Sequence, residues 1–548
     1  MRSKSIFSGK NILIIDDQKP FQIMLRGMLK DLGVDKISVA QSGEAAIVEC
    51  GQNRYDILFI DYNLGDGRNG RQLFEEIKDR KLIPDTSICL LVTGESQATT
   101  VVGALEVLPD DYIVKPFSQN LLLQRVAKSW LKKQVFVPFY ISMNANDYEN
   151  ALVVIDDILE NYPRYKATSN KYKAQVLFEL EQYTQLSEYL DEFLEKKRLN
   201  WALIFKSKIL KQEKKYLAAI KFAKEAVLQS KMNLEAYDVI TDCYLAKGDI
   251  EQAYDWVRSG IEKSPFSVPR QYKLSAVAKL NNDFESSIKA CNQVVDLTSH
   301  SFKKDYRHLL NHIRNIIDIV DLEDDDKKKR KFNQHALHVL QQSKRDSASF
   351  TDLEQEDFEQ MCLARLDSVN GLNLKAKKSF SQLTSKFNTT DYQLPTDLLA
   401  DSISLMLKIG EFDNALEYVN QIKELQIELD DFTKAMIADA QEMAKDQIKS
   451  VKLLNEKGIE AFTDGDYQEA CSLFEKSLVI APMNTGSALN LAQVLIELMK
   501  MNTKLKWTYI DRCKGVFKII DGMPIGKAHQ KRAVDLKDQF NGVLSLDK

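Results

Sequence analysis

Four short apolar runs end on side chains that can do chemistry. Asn11-Ile12-Leu13-Ile14-Ile15 stops at Asp16-Asp17, and Asp56-Ile57-Leu58-Phe59-Ile60 stops at Asp61. Residues 87–92 stop at Thr93, and residues 111–114 stop at Lys115. Runs of β-branched and large apolar residues without polar alternation read as strands buried on both faces, the pattern of a parallel sheet. In such a sheet three carboxylates, one hydroxyl and one ammonium meet at the carboxyl edge, where open α/β sheets bind ligands. Each residue also has an ordinary reading alone: an Asp at a strand end caps a helix, and Asp16-Asp17 ahead of Pro20 can simply start one. Their joint order at four strand ends is what points to a site.

In order and spacing, Asp16-Asp17, Asp61, Thr93-Gly94-Glu95 and Tyr112-Ile113-Val114-Lys115-Pro116-Phe117 resemble the receiver domain of two-component response regulators. The resemblance spans roughly residues 9–130. It implies an α/β doubly wound, five-stranded parallel sheet in which Asp61 accepts a phosphoryl group from a histidine kinase. It also implies that Tyr112 turns inward with Thr93 when that group is present, and that Asn63 and Glu95 tune its hydrolysis.

Clustered carboxylates raise each other's pKa unless a cation lies between them. Mg2+ suits the cluster, because it takes a few carboxylates and keeps water and a phosphate oxygen in its remaining positions. Asp16, Asp17, Asp61 and the backbone carbonyl of Asn63 are the expected ligands. The cation screens Asp61 for attack on a phosphorus surrounded by negative oxygens. Lys115 is a compact charge for those oxygens, and the Thr93 hydroxyl can donate to them.

Gly65-Asp66-Gly67-Arg68-Asn69-Gly70 fits the dinucleotide pattern GxGxxG. It follows the third strand instead of the first, beside carboxylates that would repel a pyrophosphate, so it reads as the turn after Asp61.

Charge balances at 75 basic against 79 acidic residues, a net −4, which offers no global basic field for nucleic acid. No apolar run approaches the roughly 20 residues of a membrane helix, and the first ten residues lack a signal peptide's apolar core. Seven cysteines stand singly without CxxC spacing, which suits a cytoplasmic location. Residues 119–133 form the expected last receiver helix; it and the preceding helix, over residues 97–108, carry more apolar surface than one buried stripe needs. That surface would dock on the downstream domain or on a second receiver, the latter making a homodimer.

Beyond residue 136 the pattern is helical. Tyr148, Tyr183, Tyr216, Ile250 and Phe284 recur at separations of 35, 33, 34 and 34, and Ala151, Ala219 and Ala253 follow three residues after their leaders. The period resembles that of tetratricopeptide repeats. Gly458, Ala461, Phe462, Gly465, Asp466, Tyr467, Ala470, Phe474 and Pro482 resemble that consensus most fully, and Gly410 to Ala415 begin another copy. Stacked helix pairs imply an all-α superhelix with an extended binding face. Its inner helices are expected to present Trp201, Ile204 and Lys208 in one repeat and Glu235, Asp238 and Asp242 in the next. No metal role is expected for His308 and His312.

The expected domains are a receiver at 1–132, repeats at 136–320, a charged linker or exposed helix at 321–334, and a second array with C-terminal helices at 335–548. The functional expectation is a response regulator, not an enzyme. A sensor histidine kinase or histidine phosphotransfer protein would phosphorylate Asp61, and the repeats would bind a protein partner. The alternatives are a phosphate sink or adaptor, and a transcriptional regulator, for which no helix-turn-helix is evident. No acid, base or metal set beyond residue 130 suggests an enzymatic output.

Overall fold

The computed structural model describes residues 6–65, 67–94, 109–299, 301–344, 353–388, 394–501, 506–522 and 527–545. Asp66, Glu95 and the helix expected over 97–108 lie outside these residues. Five strands, β1 (Asn11–Ile15), β2 (Lys36–Ala40), β3 (Ile57–Asp61), β4 (Ile88–Thr93) and β5 (Asp111–Val114), form one sheet in the order β2-β1-β3-β4-β5. Every pairing is parallel, with Ile14 opposite Phe59 and Asp61 opposite Val92. The three inner strands are the continuous apolar runs, while the edge strands β2 and β5 are only partly buried. Edge position explains why β2, a short and mixed segment, carried no clear signal.

Local chemistry starts the helices. Pro20 opens α1 (Lys19–Asp31), Ser42 caps α2 (Gly43–Gln52), and Asn69 and Gln72 form a reciprocal capping box on α3 (Gly70–Asp79). Ser118 caps α4, which runs from Gln119 to Asn144 instead of ending near residue 133. Its first half puts Leu122 and Val126 into the sheet core. Its second half puts Phe136 and Phe139 into a separate core, where Phe139 stacks on Tyr172 at 4.8 Å. The expected boundary near 132–136 therefore falls inside one helix that belongs to two cores. Lys133 ties the halves together, pairing with Asp110 at 3.2 Å beneath the Tyr140 ring.

The chain forms two compact units, Met1–Lys304 and Asp305–Lys548, so helix Tyr306–Leu322 belongs to the second unit rather than to an array ending at 320. In the first, Tyr148, Tyr183, Tyr216, Ile250 and Phe284 are each the first residue of a helix: α5 (Tyr148–Asn161), α7 (Tyr183–Lys196), α9 (Tyr216–Gln229), α11 (Ile250–Lys263) and α13 (Phe284–Thr298). These alternate with α6 (Lys166–Glu179), α8 (Asn200–Gln212), α10 (Leu234–Ala246) and α12 (Val268–Leu280). Ala151, Ala219 and Ala253 are fully buried between the paired helices.

Two residues before each leader the backbone is left-handed: Asn146, Glu181, Lys214, Gly248 and Asn282 have φ of 56°, 56°, 59°, 75° and 57°. Gly410 and Gly465 repeat this before Phe412 and Tyr467 in the second unit. The turn is thus more regular than its residue types, only some of which favour that conformation.

Ile204 is buried in the core, not presented on an inner surface. The acids expected there are paired across helices: Lys208 with Glu235 at 2.8 Å, Arg270 with Asp238 at 2.9 Å, and both Lys211 and Lys273 with Asp242.

In the second unit Arg314 and Arg365 converge on the fully buried Asp401, each at 2.7 Å, and Arg365 also reaches Asp318. The charged segment expected at 321–334 is the end of helix Tyr306–Leu322, a short connector at residues 323–325, and the first turns of helix Asp326–Ser343, with Asp325 as its cap. His312 is buried against His335, and burial pushes its pKa down to about 4.

Glu181→Gly is expected to raise the first unit's stability by roughly 0.5–1 kcal/mol, because glycine adopts the left-handed turn without side-chain strain. Asp401→Ala should cost the second unit about 3–5 kcal/mol by leaving two guanidinium groups buried without their counter-charge. Denaturant unfolding of each variant measures both.

Candidate functional site

The parallel register brings the ends of β1, β3, β4 and β5 to one edge. Asp16, Asp17 and Asp61 each offer a carboxylate oxygen there, all within 4.8 Å of one another, and among the described residues no other group of three His, Cys, Asp or Glu does so. Asp16 and Asp61 are buried and Asp17 is exposed, so the cluster opens to solvent on the Asp17 side. The Lys115 ammonium bridges two of the three, 2.8 Å from Asp16 Oδ2 and 3.1 Å from Asp61 Oδ1.

Backbone and side-chain contacts fix these groups. The Lys115 amide donates to the Thr93 carbonyl at 2.7 Å, which locks the last residues of β4 and β5 together. The other oxygen of Asp16 accepts the Gln18 amide at 2.8 Å, and the buried Gln22 side chain donates to the Asp16 carbonyl. Sequence reasoning missed Phe21, whose ring lies 3.8 Å beneath the Lys115 ammonium and packs edge-on against Phe117. Helical spacing offers the signal: a residue two positions into the helix after Asp16-Asp17 comes back over the site. Thr93 is buried, Tyr112 is half-buried against the sheet core, and Asn63 is exposed in the loop after β3.

The loop from Asp61 to α3 is tightly drawn. Gly65 and Gly67 have φ of 73° and 104°, while Gly70 is needed for space: a Cβ there would lie 2.0 Å from the Asp61 carbonyl oxygen. Arg68 anchors the loop to the buried Glu76 at 2.9 Å and to Glu44 at 3.0 Å. The glycine pattern therefore builds a turn against the Asp61 backbone carbonyl and beside the Asp17 carboxylate, in agreement with its position after the third strand.

Burial raises the Asp61 carboxyl from its ordinary 3.8 to about 6, Asp16 and Asp17 adding to the rise and Lys115 opposing it. A cation suits this donor set: three hard oxygens, one open side and an ammonium that only partly balances their charge.

Residues 12–127 match the family model described as the response regulator receiver domain. Among solved structures, a response regulator receiver domain protein from Methanospirillum hungatei JF-1 is 23% identical over 23% of this chain and 96% of its own, with a TM-score of 0.21. A Francisella receiver domain is 22% identical over 23% of this chain and 98% of its own, with a TM-score of 0.21. A two-component response regulator from Clostridium difficile is 31% identical over 22% of this chain and 94% of its own, with a TM-score of 0.20.

Because the Asp61 carboxyl is raised in the fold, it stabilises when protonated, and that contribution is lost as pH rises through about 6. In metal-free protein, Asp61→Asn is expected to gain on the order of 1–2 kcal/mol at pH 7.5 after discounting for solvent screening. The gain should vanish toward pH 4, and thermal unfolding across that range checks it.

Proposed function

We propose, from the premise that residues 12–127 are a response regulator receiver domain, that the chain is a two-component response regulator phosphorylated on Asp61. The observation that carries the reading is the convergence of Asp16, Asp17 and Asp61 with the Lys115 ammonium between them. An Asp61 oxygen attacks the phosphorus of a phosphohistidine on a sensor kinase or phosphotransfer protein; the new oxygen–phosphorus bond forms as the nitrogen–phosphorus bond breaks. Asp16, Asp17, Asp61 and the Asn63 carbonyl would hold Mg2+, which would supply charge neutralisation for the incoming phosphoryl oxygens.

Lys115 moves its charge from Asp61 to those oxygens, with the Phe21 ring supporting the ammonium from below. The Thr93 hydroxyl donates to the attached group, and Tyr112 follows it inward. Phosphorylation adds roughly 1.5 to 2 negative charges at this edge. The stacked helices after α4 act as a tetratricopeptide-type output that binds a protein partner. The reading places the protein in the cytoplasm, in keeping with seven buried cysteines that are all free.

Acetyl phosphate with Mg2+ should label wild type with one acid-stable, hydroxylamine-labile phosphoryl group, while Asp61→Asn takes none. Asp17→Asn is expected to lower labelling at least tenfold, by about 1.4 kcal/mol of lost cation binding or more. Intact-protein mass spectrometry reads both; equal labelling of wild type and Asp61→Asn would remove the basis for the proposal.

A further inference from the structure

Among the described residues the receiver meets the repeats twice in the first unit. One junction is covalent, through α4. The other is made by three side chains of α3 and lies far along the chain. Arg71 donates to the Phe266 carbonyl in the turn between α11 and α12, at 2.9 Å. Gln72 donates from Nε2 to the Leu297 carbonyl in the last turn of α13, at 3.0 Å. Lys303 lies 3.4 Å from Glu75. The last four carbonyls of a helix have no partner within it, so Gln72 caps α13 from the receiver.

The same Gln72 amide is engaged at its other end. Its Oε1 accepts the Asn69 amide at 3.0 Å, and Asn69 in turn accepts the Gln72 amide at 2.9 Å. Behind that capping box Gly70 packs on the Asp61 carbonyl and donates to the Tyr62 carbonyl at 2.8 Å. The far side of the loop also touches the site, since a Cβ on Gly65 would lie 3.3 Å from Asp17 Oδ2. One continuous path of hydrogen bonds and close backbone contacts thus runs from Asp61 through Gly70, Asn69 and Gln72 to the end of α13.

We infer that α3 is a latch on the repeat array and that its closure is thermodynamically coupled to occupancy of the Asp61 site. The inference rests on the phosphoacceptor reading above. The Gln72 side chain is held at both ends only while the loop from Asp61 keeps its present course, so on this inference a loop shifted by loading of the site opens the latch. Opening bares the α11–α12 turn and the carbonyl end of α13. By reciprocity, a change that breaks the latch without touching the site tightens the site's hold on its ligand by the same factor.

Beryllofluoride with Mg2+ on the full chain provides the probe. Lys303→Glu places like charges opposite Glu75, which Arg71 also holds at 3.0 Å, and Lys303→Arg keeps the opposite pair. Lys303→Glu is expected to bind beryllofluoride about 5- to 10-fold more tightly than wild type, within the usual span of such couplings, and Lys303→Arg to stay within about twofold of wild type. Saturating beryllofluoride should also speed amide exchange at residues 264–268 and 296–299 in wild type, to the rate already shown by unliganded Lys303→Glu. Equal affinities across the three proteins, or exchange there that ignores the ligand, would overturn the latch and leave the phosphoacceptor reading standing. No uptake of beryllofluoride by wild type would instead overturn that reading, and the latch with it.

Discussion

Three carboxylates at the edge of a parallel sheet repel one another, and the Lys115 ammonium between Asp16 and Asp61 is what lets them share that edge. The compensation is incomplete. Asp61 still holds its proton more tightly than an ordinary carboxyl, because burial and two neighbouring acids outweigh one cation. An acidic site left short of positive charge in this way suits a divalent cation. The sheet order, the register of β3 beside β4, and the Thr93–Lys115 backbone bond all serve to keep those groups within reach of each other.

The connection between this edge and the helices behind it follows from rigidity. A receiver joined by a flexible linker would keep any change at Asp61 to itself. Here α4 belongs to two hydrophobic cores at once, with Phe136 and Phe139 packed among aromatic rings of the repeats. Lys133 reaches back to Asp110 at the start of β5, and Asn144 at the end of the same helix donates to Asp85 in the receiver. The sheet is therefore joined to the helices that follow it by structured contacts.

The repeats themselves show what such arrays are made of. Leader residues and buried alanines let the paired helices approach, and a left-handed turn sets their angle at every step. Charges on neighbouring helices are paired with one another, as in Lys211–Asp242–Lys273, instead of forming a field of one sign.

Much of this protein was legible in its residues alone. The three inner strands announced themselves as uninterrupted apolar runs ending at Asp16-Asp17, Asp61 and Thr93, and the edge strand β5 as a shorter run ending at Lys115, because period and order are local properties of a chain. The repeat register was legible for the same reason, since each leader begins its own helix. The edge strand β2 was not, because a strand buried on one side carries a weaker pattern. Nor was the length of α4, whose second half is stabilised by aromatic contacts with residues such as Tyr172 that local sequence does not reveal. The Phe21 ring under Lys115, the buried Arg314–Asp401–Arg365 network and the contact of α3 with Phe266 and Leu297 join residues tens to hundreds of positions apart. Those were decided by tertiary packing, because an ammonium, a guanidinium or an amide carries no mark in the chain of which distant partner will take it out of water.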